Sequence, residues 1–185
     1  MKEEKISFIS RGKKLIGIKT IPKKTLANAI ILFHGLTNTC DDCPLILDTA
    51  KELTKNGFMT LRFDYFGSGE SPGNLSKKTM NSLEADSKAA INYLLKDKRV
   101  KNIGLWGRSM GGTMVLMMPE NKRITCRVCV SPGVLFEKEF ATKMVKLQEE
   151  AKRLAAIGQK VPGTGKFKGK YEMDKGWYDS LNGID

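Results

Sequence analysis

The most constraining stretch of this chain is Gly107-Arg108-Ser109-Met110-Gly111, which joins a short apolar strand to a helix through a turn with glycine at each end. The run Asn102-Ile103-Gly104-Leu105-Trp106 reads as the strand, and Ser109 to Met118 as the helix. A G-x-S-x-G turn at such a junction is so tight that only small residues fit beside the serine, whose Oγ is lifted above the sheet edge. The helix start sets free backbone N–H groups and a partial positive charge beside that oxygen. A serine between glycines also occurs in ordinary loops, so the surrounding chain decides the reading.

Two upstream segments supply that context. Ala29-Ile30-Ile31-Leu32-Phe33 is a continuous apolar run, as expected for a strand buried on both faces of a parallel sheet, and it ends in His34-Gly35-Leu36-Thr37. Phe58 to Phe63 reads as another strand, followed by Asp64-Tyr65-Phe66-Gly67-Ser68-Gly69-Glu70-Ser71. Strand–HG, strand–D-x-x-G-x-G-x-S and strand–G-x-S-x-G-G, in that order, resemble the α/β-hydrolase family. Within it, the chain looks most like small serine esterases of the cinnamoyl/feruloyl esterase type, from about Lys5 to the last residue. The resemblance implies an α/β-hydrolase fold: a mostly parallel sheet with helices on both faces, here C-terminally incomplete, with a helical cap insertion. It implies Ser109 as the nucleophile and the backbone N–H groups of Leu36 and Met110 as the oxyanion hole. His34 and Gly35 then shape the oxyanion loop, and His34 is not the base. Such donors are typically worth about 3 kcal/mol each.

The triad is incomplete in this sequence. A serine nucleophile needs a base to take its proton and a carboxylate to orient that base, in this fold in the chain order Ser, Asp or Glu, His. The chain has 1 histidine, His34, and it precedes Ser109. The residues after Ser109 stop about where the resemblance would begin the strand leading to the catalytic acid. Two functions follow from this. One is an esterase scaffold hydrolysing small carboxylic esters once the acid and histidine are supplied. The other is a non-catalytic remnant or binding protein that keeps the pocket without the base.

At 185 residues, one domain with a sizeable core is expected. The N-terminus is polar, and no run of about 18 apolar residues suggests a membrane span. No membrane partner and a cytoplasmic location are the defaults. The net charge of +12 raises the question of nucleic acid. The lysines are scattered, among them Lys13-Lys14, Lys23-Lys24 and Lys77-Lys78, with no recognised nucleic-acid module around them. They read as a solvated surface, so no specific nucleic-acid partner is expected, and the partner is a small-molecule ester.

No cofactor and no metal are expected. Cys40-Asp41-Asp42-Cys43 and Cys126-Arg127-Val128-Cys129 form two C-x-x-C pairs, but the second lies on a strand, where side chains three apart point to opposite faces. Cys40 and Cys43 lie near a helix start, where a lowered thiol pKa and redox sensitivity are open readings. Gly67 to Gly73 is glycine-rich after a strand but lacks both G-x-G-x-x-G spacing and a phosphate-loop ending. Asp64 resembles the family's structural aspartate, with a displaced triad acid as the outside alternative.

The remaining architecture is a hairpin of Glu4 to Ile9 and Lys13 to Ile21 turning at Arg11-Gly12, a helix from Pro44 to Asn56 and a helix from Thr79 to Lys96. Leu45, Leu47, Ala50 and Leu53 are the inward candidates of the first helix. Those of the second are Leu83, Ala90, Ile91, Leu94 and Leu95. Residues 1–133 are read as the core, with Ile124 to Val130 as the sixth strand, and 134–185 as the cap insertion. Glu137 to Ile157 in that insertion reads as a charged helix. Phe136, Phe140, Met144, Trp177 and Tyr178 either wall an acyl pocket or only pack the insertion on the body. An uncovered sixth strand would leave an apolar edge, so self-association or a complementing C-terminal chain is expected.

Overall fold

The structure, a computed structural model, describes residues 2–23, 26–133, 176, 177 and 180. The chain runs β1 (Lys2–Ser10), β2 (Lys13–Ile21), β3 (Ala27–Phe33), α1 (Pro44–Lys55), β4 (Met59–Phe63), α2 (Met80–Leu95), β5 (Val100–Arg108), α3 (Met110–Met117) and β6 (Ile124–Val130), with a short 3-10 turn at Leu75–Lys77. Arg11 and Gly12 both take positive φ, 48° and 71°, which closes the β1–β2 hairpin with the strand twist matched.

The six strands form one sheet in the order β1-β2-β4-β3-β5-β6. β1, β2 and β4 pair antiparallel, whereas β3, β4, β5 and β6 run parallel. Crossovers between parallel strands are right-handed. From β3 to β4 the chain moves one way along the sheet, and from β4 to β5 to β6 it moves the other way. One hand of crossover therefore puts α1 on one face and both α2 and α3 on the opposite face.

The strand residues obey this division. Ala27, Ala29, Ile31 and Phe33 of β3 join the large core shared with α2 and α3, together with Met59, Leu61 and Phe63 of β4 and Ile103 and Leu105 of β5. Leu32, Ile30 and Trp106 point the other way, to Cys43, Ile46 and Ala50 at α1. β3 and β5 are therefore apolar on both sides, which is why the sequence shows runs rather than alternation there.

On α1 the inward face differs from the expected one. Ile46, Ala50 and Thr54 are buried, Leu45 is exposed, and Leu47 and Leu53 are intermediate. Thr54 tolerates burial because its hydroxyl donates to the Ala50 carbonyl at 2.8 Å and lies 3.4 Å from the Thr60 hydroxyl. α2 matches expectation more closely, with Leu83, Ala90, Ile91 and Leu94 buried and Leu95 partly so. Its start is fixed by a capping box in which Thr79 and Ser82 satisfy each other's backbone amides.

β6 closes one side of the described sheet. Cys126, Arg127 and Val128 are exposed there, and Arg127 folds back to donate to the Val115 and Met118 carbonyls at 2.8 and 2.7 Å, at the C-terminal end of α3. Among the described residues no helix is long and apolar enough to cross a membrane.

The α1 assignment has a direct test in urea unfolding. Ile46→Ala should lower stability by about 2–5 kcal/mol, because it leaves a cavity against the sheet. Leu45→Ala should change it by less than about 0.5 kcal/mol. The reverse order would place the other face of α1 inward.

Candidate active site

The parallel strands β3 and β5 are neighbours, with Phe33 opposite Gly107, so their C-terminal ends emerge side by side. Chain connections leave in opposite directions from this point, the place where open α/β sheets form binding crevices. Ser109 sits between β5 and α3 with φ 53° and ψ −124°, a backbone conformation that side-chain-bearing residues rarely adopt. The flanking glycines permit it. A Cβ on Gly107 would overlap the Gly111 carbonyl, and one on Gly111 would overlap the carbonyl of Phe33. The turn is held at its other side by the Ser109 amide, which donates to the Val130 carbonyl at 2.9 Å. Ser109 is exposed, while Met110 beside it is buried. Met110 is the first residue of α3, so its N–H has no acceptor within that helix.

The loop after β3 lies against this turn. A Cβ on Gly35 would stand 3.6 Å from the Ser109 Cβ, an ordinary contact, and 2.9 Å from the Asn38 Oδ1, so the β3 loop lies beside the Ser109 turn. The Gly35 carbonyl accepts from the Asn38 amide at 3.2 Å and lies 2.6 Å from His34 Nδ1. On the other side of the imidazole, Nε2 accepts from the Tyr65 amide at 3.3 Å. These contacts assign the proton to Nδ1, which donates to the Gly35 carbonyl. Burial, reinforced by the Lys78 ammonium, lowers the His34 pKa to about 3, so the ring is neutral near pH 7. In a trans peptide the carbonyl and the following N–H point in opposite directions. Holding the Gly35 carbonyl therefore fixes where the Leu36 N–H points.

Asp64 has both oxygens engaged by backbone amides. Oδ1 accepts from Cys40 at 2.7 Å and Oδ2 accepts from Glu70 at 2.9 Å. It staples the β4 loop to the loop before α1 and gives no sign of orienting a base. Asp86 on α2 does similar work, accepting from the Ser10 hydroxyl, Arg11 and the Phe66 amide.

Two expectations are corrected here. Burial first, then the charges of Asp64 and Asp41, push the Cys40 thiol pKa up rather than down. Its place near a helix start is outweighed by desolvation. Cys43 is also buried, Cys126 is exposed, and all four thiols are free. Lys78 is not part of the solvated surface. Its side chain is 0% exposed, and its Nζ donates to the Leu36 carbonyl at 3.1 Å and to the Ser68 hydroxyl. No periodicity marks such a residue, which precedes the α2 cap and reads in sequence as half of a Lys-Lys surface pair.

Of the proposed pocket residues, Phe136, Phe140, Met144 and Tyr178 lie outside the described residues, as does the cap helix assigned to 137–157. Trp177 is described, and it is buried in the large core. Nearby, the Ser180 hydroxyl accepts from the Met80 amide at the start of α2.

Comparisons with known proteins agree with this geometry. Residues 24–175 match the family described as Serine aminopeptidase, S33. An uncharacterized 31.7 kDa Escherichia coli protein from the traX-finO intergenic region is 26% identical over 88% of this chain, which spans 63% of its length. The esterase Est1E from Butyrivibrio proteoclasticus, solved with ferulic acid bound, superposes with a TM-score of 0.70 at 26% identity. That match covers 75% of this chain and 56% of Est1E. The Pyrococcus furiosus esterase Pf2001 gives 0.68 at 24% identity, covering 85% of this chain and 59% of its own, a likeness of fold. The chain thus spans little more than half the length of these solved structures. With the match covering most of the sequence, and a G-x-S-x-G turn seated beside the β3 loop, the chain belongs to this serine aminopeptidase S33 family of α/β hydrolases.

Proposed function

We propose that the chain carries the nucleophile and oxyanion half of a serine hydrolase acting on small carboxylic esters. The observation that carries this reading is Ser109 itself. It is exposed, held at positive φ by two flanking glycines, and placed at the start of α3 against Gly35. Backbone strain of that kind persists only where surrounding contacts enforce it, and it gathers at functional sites. In the proposed reaction the Ser109 Oγ attacks the ester carbonyl carbon and its proton passes to a base. The carbonyl electron pair moves onto oxygen, where the Leu36 and Met110 N–H groups receive it. Collapse of the tetrahedral intermediate breaks the bond to the alcohol oxygen, which takes the proton back from the base. Water, giving a proton to the same base, then attacks the acyl carbon, and Ser109 leaves with that proton on Oγ as the acid is released.

His34 serves as oxyanion-loop support in this account. Both of its nitrogens are engaged by backbone groups, and it is neutral and buried, so it does not take the Ser109 proton. The whole protein's activity therefore depends on a base other than His34. A second reading, a non-catalytic hydrolase relative that only binds ligands, is favoured by the same fact. Est1E holds ferulic acid in its crystal. An ester of a phenolic acid is accordingly the first substrate class to try, beside nitrophenyl acetate and butyrate.

Two experiments test these roles. With imidazole added as an external base, a fluorophosphonate should label the chain at Ser109 and leave Ser109→Ala unlabelled. Turnover of nitrophenyl esters should remain about a millionfold below that of a complete triad. No Ser109-dependent labelling would favour the binding-protein reading. The second experiment follows stability with pH. The folded His34 pKa of about 3 lies below the roughly 6.5 of an unfolded histidine. Its contribution is complete above about pH 6.5 and is lost as pH falls toward 3, because only the unfolded chain takes up the proton. Urea unfolding should show the chain losing about 2 kcal/mol more than His34→Gln between pH 7 and pH 5. Parallel pH slopes would contradict a neutral, buried His34.

A further inference from the structure

Lys78 is a buried cation whose hydrogen-bond partners are uncharged. The Leu36 carbonyl accepts from its Nζ at 3.1 Å, and the Ser68 hydroxyl is its other partner. Asp86 and Asp64, whose charges favour its ammonium form, make no hydrogen bond to it: Asp64 accepts from the Cys40 and Glu70 amides, and Asp86 from Ser10, Arg11 and Phe66. Burying an ammonium on neutral acceptors is unfavourable, and a packed apolar side chain of similar size generally serves stability as well or better. Stability of the fold is thus a weak explanation for a lysine here.

The position of the ammonium supplies a stronger one. Leu36 lies between two peptide units, and each is held by its carbonyl. Gly35 is held by His34 Nδ1 and the Asn38 amide, and Leu36 is held by Lys78. Together these contacts fix the backbone on both sides of the Leu36 N–H, and the Lys78 bond ties that loop to the loop after β4 through Ser68. The charge is felt across the loop, since the Lys78 ammonium is the second cause, after burial, of the lowered His34 pKa.

We propose that Lys78 is a positioning residue for the oxyanion hole: it pins the Leu36 peptide and lends positive charge to the place where an oxyanion forms. The inference rests on the reading of Ser109 and Leu36 given above. Burial lowers the Lys78 pKa to about 8, with Asp86 and Asp64 opposing that effect, so the ammonium form predominates at pH 7. A charged donor on a carbonyl also polarises the adjoining peptide groups, and an ion in a water-poor site acts with little screening.

The test is saturation kinetics of Ser109 phosphonylation by a nitrophenyl phosphonate at pH 7, with imidazole at a fixed concentration as the external base, in the wild-type chain, Lys78→Met, Lys78→Gln and Ser109→Ala, with folding followed by circular dichroism. Lys78→Met should keep its initial binding constant while its limiting labelling rate falls about tenfold or more. Lys78→Gln, which keeps a donor without the charge, should fall between the two. A wild-type chain that is not labelled at Ser109 defeats the hydrolase reading itself. Labelling of wild type with an unchanged limiting rate in folded Lys78→Met defeats only the role of Lys78. Failure of both Lys78 variants to fold would also overturn it, by making the residue a requirement of the body rather than of the loop.

Discussion

The contact on which this site depends is the approach of Gly111 to the Phe33 carbonyl at the end of β3. A single Cβ at Gly111 would occupy the space of that carbonyl, and one at Gly107 would overlap the carbonyl of Gly111. With both side chains absent, α3 starts directly over the end of β3, and the strained Ser109 comes to rest against Gly35. The sheet makes this possible because β3 and β5 are adjacent and parallel, in register at Phe33 and Gly107. Hydrophobic burial fixes the sheet, and the missing side chains at Gly107 and Gly111 then let the start of α3 approach the end of β3.

Around that contact lies a layer of buried polar groups, each engaged by backbone. His34 links the Gly35 carbonyl to the Tyr65 amide, Asp64 links the Cys40 and Glu70 amides, and Lys78 links Leu36 to Ser68. Among the described residues no buried side-chain nitrogen or oxygen lacks a partner. A satisfied polar layer of this kind is directional in a way that apolar packing is not, and it holds loop backbone in one arrangement. It also means that the one histidine of the chain is a structural element of its loop, because both ring nitrogens already have partners.

Much of this was legible in the sequence. The runs ending at Phe33 and Trp106 reveal buried parallel strands because both of their faces are covered, and the glycines around Ser109 reveal the turn because no other residue fits. The α1 face was misread because Thr54 is buried through a hydrogen bond to Ala50, which hydropathy does not register, while Leu45 is left exposed. Lys78 was hidden for a related reason. A lysine beside another lysine has the appearance of surface, and only the positions of Leu36 and Ser68, far from it in sequence, give its ammonium a place inside. Proximity to a helix start likewise suggested an acidic Cys40 thiol, whereas its depth and the neighbouring carboxylates reverse the direction.

The central claim is that the strained turn and the β3 loop together form a preorganised receptor for negative charge at Ser109. A crystal structure of the chain carrying a phosphonate on Ser109 Oγ measures this directly. The account predicts a phosphonyl oxygen within about 2.7–3.1 Å of both the Leu36 and Met110 amide nitrogens, with the loop backbone unmoved. A phosphonyl oxygen turned to solvent, or a loop that must rearrange before either amide reaches it, would contradict it.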